Sequence, residues 1–152
     1  MKNLIYPIII LAIASILFFA FKSPNVDFNK DSHEGIQFYK GAWQEALEKA
    51  EKENKIIFLD VYATWCGPCK KLKAYTFSDA TVGSFYNNNF INVAVDGEKG
   101  EGIELAKKYS VRAYPTLLFI NSSGEIVHRT AGYHKANDFN ELGELVVKNI
   151  KR

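Results

Sequence analysis

One nearly continuous apolar run constrains this chain more than any other feature. Ile56 to Tyr62 reads IIFLDVY, and Asp60 is its only charged residue. A short run that is apolar at successive positions is typical of a central strand buried on both faces, as in a sheet with helices on either side. The stretch Trp65-Cys66-Gly67-Pro68-Cys69-Lys70 follows almost at once. We therefore expect this motif at the end of a buried strand.

The rest of the chain predicts strands that alternate with helices. In order, the predicted elements are a strand at 36–39, a helix at 42–54, the strand at 56–62, helices at 70–76 and 78–86, a strand at 90–95, a helix at 102–109, strands at 116–120 and 125–130 joined by a turn at 121–124, and a helix at 139–150. This order, β-α-β-α-α-β-α-β-β-α, predicts an α/β domain with a central mixed sheet flanked by helices on both faces.

The number and placement of the cysteines indicate a chemical role for them rather than a structural one. Only two cysteines occur, both in one motif, whereas a disulfide-stapled scaffold would spread its cysteines to close long loops. The chain is 47% hydrophobic, enough for a core without staples. Its net charge of +2 argues against nucleic acid or an anionic membrane surface as a partner. The pair is therefore available for chemistry.

Cys66 and Cys69 have the spacing of a redox-active dithiol. Cys66 would lie at the N-terminus of the helix after the strand, where free N–H groups and the helix dipole stabilise a thiolate. Pro68 falls in the first helical turn, where a proline loses no helix hydrogen bond. Cys69 lies one turn later, within disulfide reach. We assign Cys66 as the nucleophile and Cys69 as the resolving thiol.

Other uses of the pair are less well supported by the sequence. A zinc site needs about four ligands, and the three histidines, His33, His128 and His134, lie far away in sequence. Covalent haem attachment would need a histidine at position 70, which is Lys70. A structural disulfide closing so short a loop would add little stability. We expect no metal, and no cofactor beyond the Cys66–Cys69 disulfide.

The uncharged N-terminal run predicts an export signal, with a buried core helix as the alternative. Residues 3–21 contain no charged side chain, and their number is close to the ~20 residues that span a hydrocarbon core. Phe18-Phe19-Ala20 offers a poor cleavage site, which favours an uncleaved signal anchor and leaves a cleaved signal peptide open. We expect a signal anchor or signal peptide at 1–22, a tether at 23–35 and the domain at 36–152, outside the cytoplasm, either membrane-anchored or secreted.

With the motif at 65–70, the buried strand before it and Tyr114-Pro115-Thr116 beyond it, the chain resembles thioredoxin over residues 36–150. The stretches at 62–66 and 75–79 look still closer to the exported C-terminal domain of DsbD-type thiol:disulfide interchange proteins. The Gly-Pro dipeptide between the cysteines departs from that branch and is the thioredoxin one. The resemblance implies the thioredoxin fold.

The resemblance also implies roles for residues outside the motif. Pro115 matches the family's cis-proline, which presents the backbone of Tyr114 to a substrate strand; an ordinary trans-proline is the alternative. Asp60 matches the buried acid that manages the proton of the resolving cysteine, and an exposed strand-end residue is the alternative. Asn92 stands where thioredoxin has the lysine that partners this acid, which leaves the proton relay open.

A substrate-docking rim is implied by the same comparison of positions. Its members are Trp65, Gly67, Pro68, Tyr114, Gly132 and Tyr133. Core packing is the alternative for Trp65 and Tyr133. Lys70, Lys71 and Lys73 are interpreted as a solvated basic helix face, His33 and His134 as solvated loop residues and His128 as a strand-surface residue.

The function expected is that of a monomeric protein-disulfide reductase that reduces or exchanges disulfides in exported, periplasmic proteins and maintains redox homeostasis there. Its electrons would come from a membrane partner, because the sequence has no GxGxxG signature for a flavin or nicotinamide. Alternatives are a thiol reductase for cytochrome c maturation, a thiol oxidase or isomerase, and a non-enzymatic client-binding module. Oxidases of this fold generally carry histidine between the cysteines, and this chain has none.

Overall fold

A computed structural model describes residues 35–150 of the chain, so the predicted signal segment at 1–22 and nearly all of the tether lie outside the described residues. The sheet within them has four strands, β1 (Ile56–Tyr62), β2 (Phe90–Asp96), β3 (Thr116–Ile120) and β4 (Ile126–Ala131). Their order is β2-β1-β3-β4, with β1 parallel to β2 and the other two pairs antiparallel. The predicted mixed sheet is confirmed.

Helices cover both faces of this sheet. They are α1 (Trp43–Glu53), α2 (Gly67–Lys71), α3 (Ala80–Asn89), α4 (Glu101–Lys108) and α5 (Ala136–Ile150). A single π-helical turn at Leu72–Thr76 continues α2 directly. Residues of α1 and α4 pack on one face of the sheet, while the π-helical turn, α3 and α5 pack on the other.

Two predicted elements differ from the structure. The strand predicted at 36–39 is irregular, because its only backbone hydrogen bond to the edge of β2 is the one that the Tyr39 N–H donates to the Asn92 carbonyl at 2.8 Å. Its alternating pattern comes instead from Phe38, which packs beside Phe58 and Phe77 while Gln37 is exposed. The helix predicted at 70–76 begins earlier, at Gly67, and ends in the π-helical turn.

The central strand divides the interior into two cores, as expected of a strand buried on both faces. Ile57, Leu59 and Val61 point to a core under α1 and α4 that is mostly aliphatic but includes Trp43 and Tyr109. Phe58 points the other way, into a set of rings that we call the aromatic core, which comprises Phe58, Phe77, Tyr86, Phe90, Phe119 and Phe139. Side chains alternate in direction along a strand, which sends neighbours in β1 to opposite cores.

Local signals set the ends of several elements. Asp79 begins α3 as its N-cap, and its Oδ1 accepts hydrogen bonds from the N–H groups of Thr81 and Val82. Asn54 ends α1 in the left-handed conformation, with a φ of 49°, which turns the chain into β1. A β-hairpin turn joins β3 to β4 through the Gly124 N–H, which donates to the Asn121 carbonyl at 2.9 Å. Within residues 35–150, no helix is both long and apolar enough to cross a membrane.

Removing the hydroxyl of Tyr86 should destabilise the fold. Tyr86 is fully buried, its ring stacks on Phe139 at 4.5 Å, and its hydroxyl donates to the Phe139 carbonyl at 2.8 Å. We expect Tyr86→Phe to lower the free energy of unfolding by about 1 kcal/mol, since the variant loses this buried hydrogen bond. Denaturant unfolding measures the change, and Tyr75→Phe, which alters a 68% exposed ring, is the matched control. Equal stabilities of the two variants would contradict the expectation.

Candidate active site

The cysteine pair lies where β1 leaves the sheet. Cys66 and Cys69 form a disulfide with an S–S distance of 2.04 Å and a Cα–Cα distance of 5.3 Å. Both residues are buried, with 2% and 8% of their surface exposed, and they pack with Ala63, Tyr62 and Tyr114. We call these five residues the cysteine cluster.

Backbone geometry distinguishes the two cysteines. Cys66 is the N-cap residue of α2, and its Sγ accepts a hydrogen bond from the Cys69 N–H at 3.1 Å. An N–H group directed at this sulfur stabilises negative charge on it, which lowers the cost of forming a thiolate. Pro68 lies in the first turn of α2, as predicted. Cys69 instead faces a cavity that it shares with Asp60.

Pro115 lies just before β3, and its bond to Tyr114 is cis. The Gly132 N–H donates to the Pro115 carbonyl at 3.0 Å, extending the β3–β4 pairing by one step beyond Thr116 and Ala131. Gly132 has a φ of +84°, a conformation that glycine adopts without strain. The structure therefore brings Tyr114, Pro115 and Gly132 together, and Tyr114 joins them to the cysteine cluster.

Trp65 lies on the surface and is held from two sides. It is 67% exposed, so the core-packing alternative does not describe it. Its Nε1–H donates to Glu98 Oε2 at 3.0 Å, and its ring meets that of Tyr114 edge to face at 6.1 Å. Burial, followed by the nearby carboxylates of Glu98 and Asp96, raises the pKa of the Tyr114 hydroxyl. The indole is thus an exposed but oriented apolar surface beside the disulfide.

The remaining rim residues are open to solvent. Gly67 and Pro68 are exposed, and a Cβ atom added at Gly67 or at Gly132 would meet no other heavy atom within 4 Å. Tyr133 is 41% exposed, so it is not a core residue either. The loop that carries it is tied to the π-helical turn, because the Thr76 hydroxyl donates to the His134 carbonyl at 2.6 Å.

Asp60 lies inside the domain. It is 6% exposed in the middle of β1, so the strand-end alternative does not apply. Its side chain lines a cavity of about 420 Å³ whose walls are Phe38, Asp60, Tyr62, Ala63, Thr64, Cys69, Lys70, Lys73, Phe77 and Ala94. Asp60 Oδ1 has no hydrogen-bond partner among the described residues. Burial raises the pKa of this carboxyl from 3.8 to about 7.

Asn92 does not partner Asp60. It stands opposite Phe58 in the β1–β2 pair, whereas Ala94 stands opposite Asp60. The Asn92 side-chain amide donates to the Gln37 carbonyl at 3.4 Å and to Asn87 Oδ1 at 3.1 Å. Its hydrogen bonds therefore hold the segment before α1 rather than the buried acid.

The histidines and lysines of the described part take other places. His128 meets Phe119 edge to face on β4. His134 is half-buried, with its Nε2 at 3.0 Å from Thr130 Oγ1, and so is not the solvated residue expected. His33 lies outside the described residues. Lys70, Lys71 and Lys73 are all exposed, and Lys70 and Lys73 line the Asp60 cavity. No group of residues that could hold a metal occurs within 35–150.

Sequence reasoning missed Glu98 and the cavity wall. Glu98 comes just after β2, and the carboxyl ends of parallel strands meet at one edge of a sheet, so its position beside the motif after β1 could have been inferred. Lys73 and Phe77 follow Cys69 at intervals of four residues, which places all three along one side of a helix. That spacing was available in the sequence.

A mixed sheet, a disulfide at a helix start and a cis-proline opposite the returning strand define a class of thiol–disulfide oxidoreductases. The sequence profile of the family described as thioredoxin-like domain matches residues 43–146. The chain belongs to this thioredoxin-like family, and the predicted thioredoxin fold is confirmed. It is a thioredoxin-like disulfide oxidoreductase, and its relatives and its cysteine pair support protein-disulfide reductase activity.

Curated relatives include both branches named above. The chain is 39% identical over 104 residues to the thiol:disulfide interchange protein DsbD of Photorhabdus laumondii, a match that covers 65% of this chain and 18% of that protein. It is 37% identical to thioredoxin H4 of Arabidopsis thaliana, covering 61% of this chain and 73% of that protein. The chain thus spans less than a fifth of the length of the DsbD protein it matches.

Solved structures agree with this assignment. A proposed disulphide-isomerase from Bacteroides thetaiotaomicron is 50% identical, with a TM-score of 0.67, over 76% of this chain and 95% of that one. The oxidised C-terminal domain of DsbD from Neisseria meningitidis is 29% identical, with a TM-score of 0.58, over 72% of this chain and 97% of that one.

Asp60 should make stability depend on pH. Between about pH 4 and 7 the unfolded chain has lost this proton while the folded protein retains it, so stability falls as the pH rises and then levels off above 7. The loss amounts to about 4 kcal/mol. We expect Asp60→Asn to match the wild type near pH 4 and to be several kcal/mol more stable at pH 8, in denaturant unfolding of the disulfide form. The control is Asp138→Asn, an exposed aspartate in α5. A constant difference between Asp60→Asn and wild type across this range would contradict the expectation.

Proposed function

We propose that this protein is an exported reductase that reduces or exchanges disulfides in extracytoplasmic proteins through Cys66 and Cys69. The observation that carries the proposal is the cysteine pair itself, with Cys66 Sγ at the start of α2 and within hydrogen-bond distance of the Cys69 N–H. Asp60, Pro115 and the rim residues are assigned the supporting roles that the family resemblance implies.

The reaction starts from the dithiol form. The Cys66 thiolate attacks one sulfur of a substrate disulfide, forms a mixed disulfide and releases the first substrate thiolate. The Cys69 thiol then gives its proton to the Asp60 carboxylate, and the new thiolate attacks the Cys66 sulfur. This step closes the Cys66–Cys69 bond and releases the second substrate thiolate. Two electrons pass from the dithiol to the substrate, and both substrate thiolates take up protons.

Substrate recognition is assigned to the surface around Cys66. Tyr114 packs with the disulfide, Gly132 is placed by its hydrogen bond to Pro115, and Trp65 adds an exposed apolar ring whose direction is fixed by Glu98. Backbone pairing with an extended segment is insensitive to sequence, and so is contact with a flat ring. Such a surface suits many unfolded or extended clients. Gly67, Pro68 and Tyr133 complete the proposed rim.

The location and the electron donor are parts of the same proposal. The uncharged segment at 3–21 supports export, with the domain held at the membrane or released. DsbD relatives support a membrane protein as the source of electrons, and the match covers only a small part of those proteins. A donor of this kind is needed because the outer compartment is not kept reducing. Cytochrome c maturation is a narrower client assignment within this proposal.

A second candidate function is disulfide isomerisation, which is favoured by the 50% identical B. thetaiotaomicron protein described as a proposed disulphide-isomerase. The equilibrium redox potential against glutathione separates these functions, because it measures which form of the pair is favoured. We expect a reducing value, well below those of the oxidases of this fold. A value as high as that of a strong oxidant would contradict the reductase proposal and favour an oxidase or isomerase.

Single cysteine variants test the order of the two thiols. We expect Cys66→Ser to lose essentially all disulfide reduction, since it has no nucleophile. We expect Cys69→Ser to accumulate mixed disulfides, because attack proceeds but resolution does not. Non-reducing gels and mass spectrometry of the trapped species measure both, in the compartment where the protein resides. If Cys66→Ser kept full activity, the assignment of the nucleophile would be wrong. If both variants kept full activity toward the client proteins, the cysteine pair would not be needed. A non-enzymatic client-binding role would then replace the proposal.

A further inference from the structure

We propose that Lys73 is the cation that balances the Asp60 carboxylate during the resolving step, so that it acts as a positioning residue for proton transfer from Cys69. This inference rests on the proposed function, since it concerns the second half of that reaction. Lys73 lies in the π-helical turn and would supply Asp60 with the positive charge that the neutral Asn92 does not supply.

The cavity supplies the geometry. Its walls include the acid, the resolving cysteine and two lysines, Lys70 and Lys73, while most of its other lining residues are apolar. Tyr62 is the only other titratable residue that lines it, and Asp60 is its only acid. A carboxylate formed here lies among mostly apolar walls, where the charge of an ammonium group is screened less than it is in bulk water. The two lysines are the cations that face this space.

Helix direction favours Lys73 over Lys70. Cys69, Lys73 and Phe77 are spaced by four residues along α2 and the π-helical turn, and all three line the cavity. Helical side chains lean toward the N-terminus of their helix, so the stem of Lys73 runs back toward Cys69. Lys70 follows Cys69 directly in the chain and therefore lies about 100° further round the helix.

The charge inside the cavity stays constant through the step. Before transfer, the negative charge is on the Asp60 carboxylate, and afterwards it is on the Cys69 thiolate, which attacks Cys66. Asp60 and Cys69 line the same space, so one ammonium group belonging to that lining serves both states. Lys73 takes part in no ion pair within residues 35–150, and its exposed side chain is free to serve this role.

Burial is what raises the pKa of Asp60 in the disulfide form. A protonated acid is neutral and needs no counter-charge, and no ion pair joins Asp60 to Lys73 in that form within the described part of the chain. The lysine becomes important once the carboxylate is charged. By favouring that form, it keeps a larger fraction of Asp60 able to accept a proton near pH 7.

The test compares four variants of the full-length protein. Lys73→Met removes the charge but keeps a long side chain, and Lys73→Arg restores the charge. Lys70→Met removes the other lysine of the cavity. Lys71→Met is the matched control, because Lys71 is an exposed neighbour that does not line the cavity. Carbon NMR of labelled aspartate follows the Asp60 carboxyl, and single-turnover release of thiol from a mixed disulfide gives the pH profile of the resolving step.

We expect Lys73→Met to move the Asp60 titration upward by about half a pH unit or more relative to Lys71→Met. Resolution at pH 7 should become about two- to fivefold slower, with its pH profile moved in the same direction. Lys73→Arg should restore both. Equal titrations in Lys73→Met and Lys71→Met would overturn the inference, and so would a larger shift in Lys70→Met.

The role of Lys73 and the proposed reductase function can be tested independently of each other. The Asp60 titration is read in the disulfide form without any substrate, so it tests the electrostatic contact alone. Wild-type reduction of a disulfide-bearing protein is measured on the same preparation. A wild type without that activity would contradict the reductase proposal, whereas an active wild type with an unchanged Asp60 titration in Lys73→Met would contradict only the role of Lys73.

Discussion

Burial of β1 on both faces is the constraint on which the rest of this molecule depends. A strand that is apolar at successive positions needs a layer of helices on either side, and the two cores under those layers fix α1 and α4 against one face and α3 and α5 against the other. The same burial withdraws Asp60 from water. The disulfide-bonded cysteines come a few residues after the end of this strand. The strand β1 therefore determines both the layered fold and the position of the cysteine pair.

Much of the fold could be predicted because its signals are local. The strands at 56–62 and 116–120 were predicted with the bounds they have, since each is a short apolar run between turn or motif residues. The segment at 36–39 was predicted as a strand because Ile36 and Phe38 alternate with polar residues. Alternation reports which side chains are buried, but a strand also needs a neighbour to pair with along its length. The π-helical turn has no local signal of that kind.

The residues of the site also fall into those that could be predicted from the sequence and those that could not. The cysteines could be selected from their spacing and Asp60 from being an acid in an apolar strand, whereas Pro115 and the role of Asp60 came from the resemblance to thioredoxin. The use of Asn92 could not be predicted, since an amide can bond in any direction and its partners, Gln37 and Asn87, lie on other segments. The cavity could not be foreseen either, because an empty volume depends on how several elements pack together. Only the spacing of Lys73 from Cys69 pointed toward it.

The hydrogen bond from the Thr76 hydroxyl to the His134 carbonyl has a mechanical consequence. Thr76 ends the helical segment that carries the cysteines, and His134 lies two residues beyond Gly132 in the loop after β4. The helix that carries the disulfide is therefore hydrogen-bonded to the loop after β4. That loop is in turn hydrogen-bonded, through Gly132, to Pro115. In the proposed docking mode, a client strand that contacts this loop is therefore linked through the Thr76–His134 hydrogen bond to the helix that carries the cysteines.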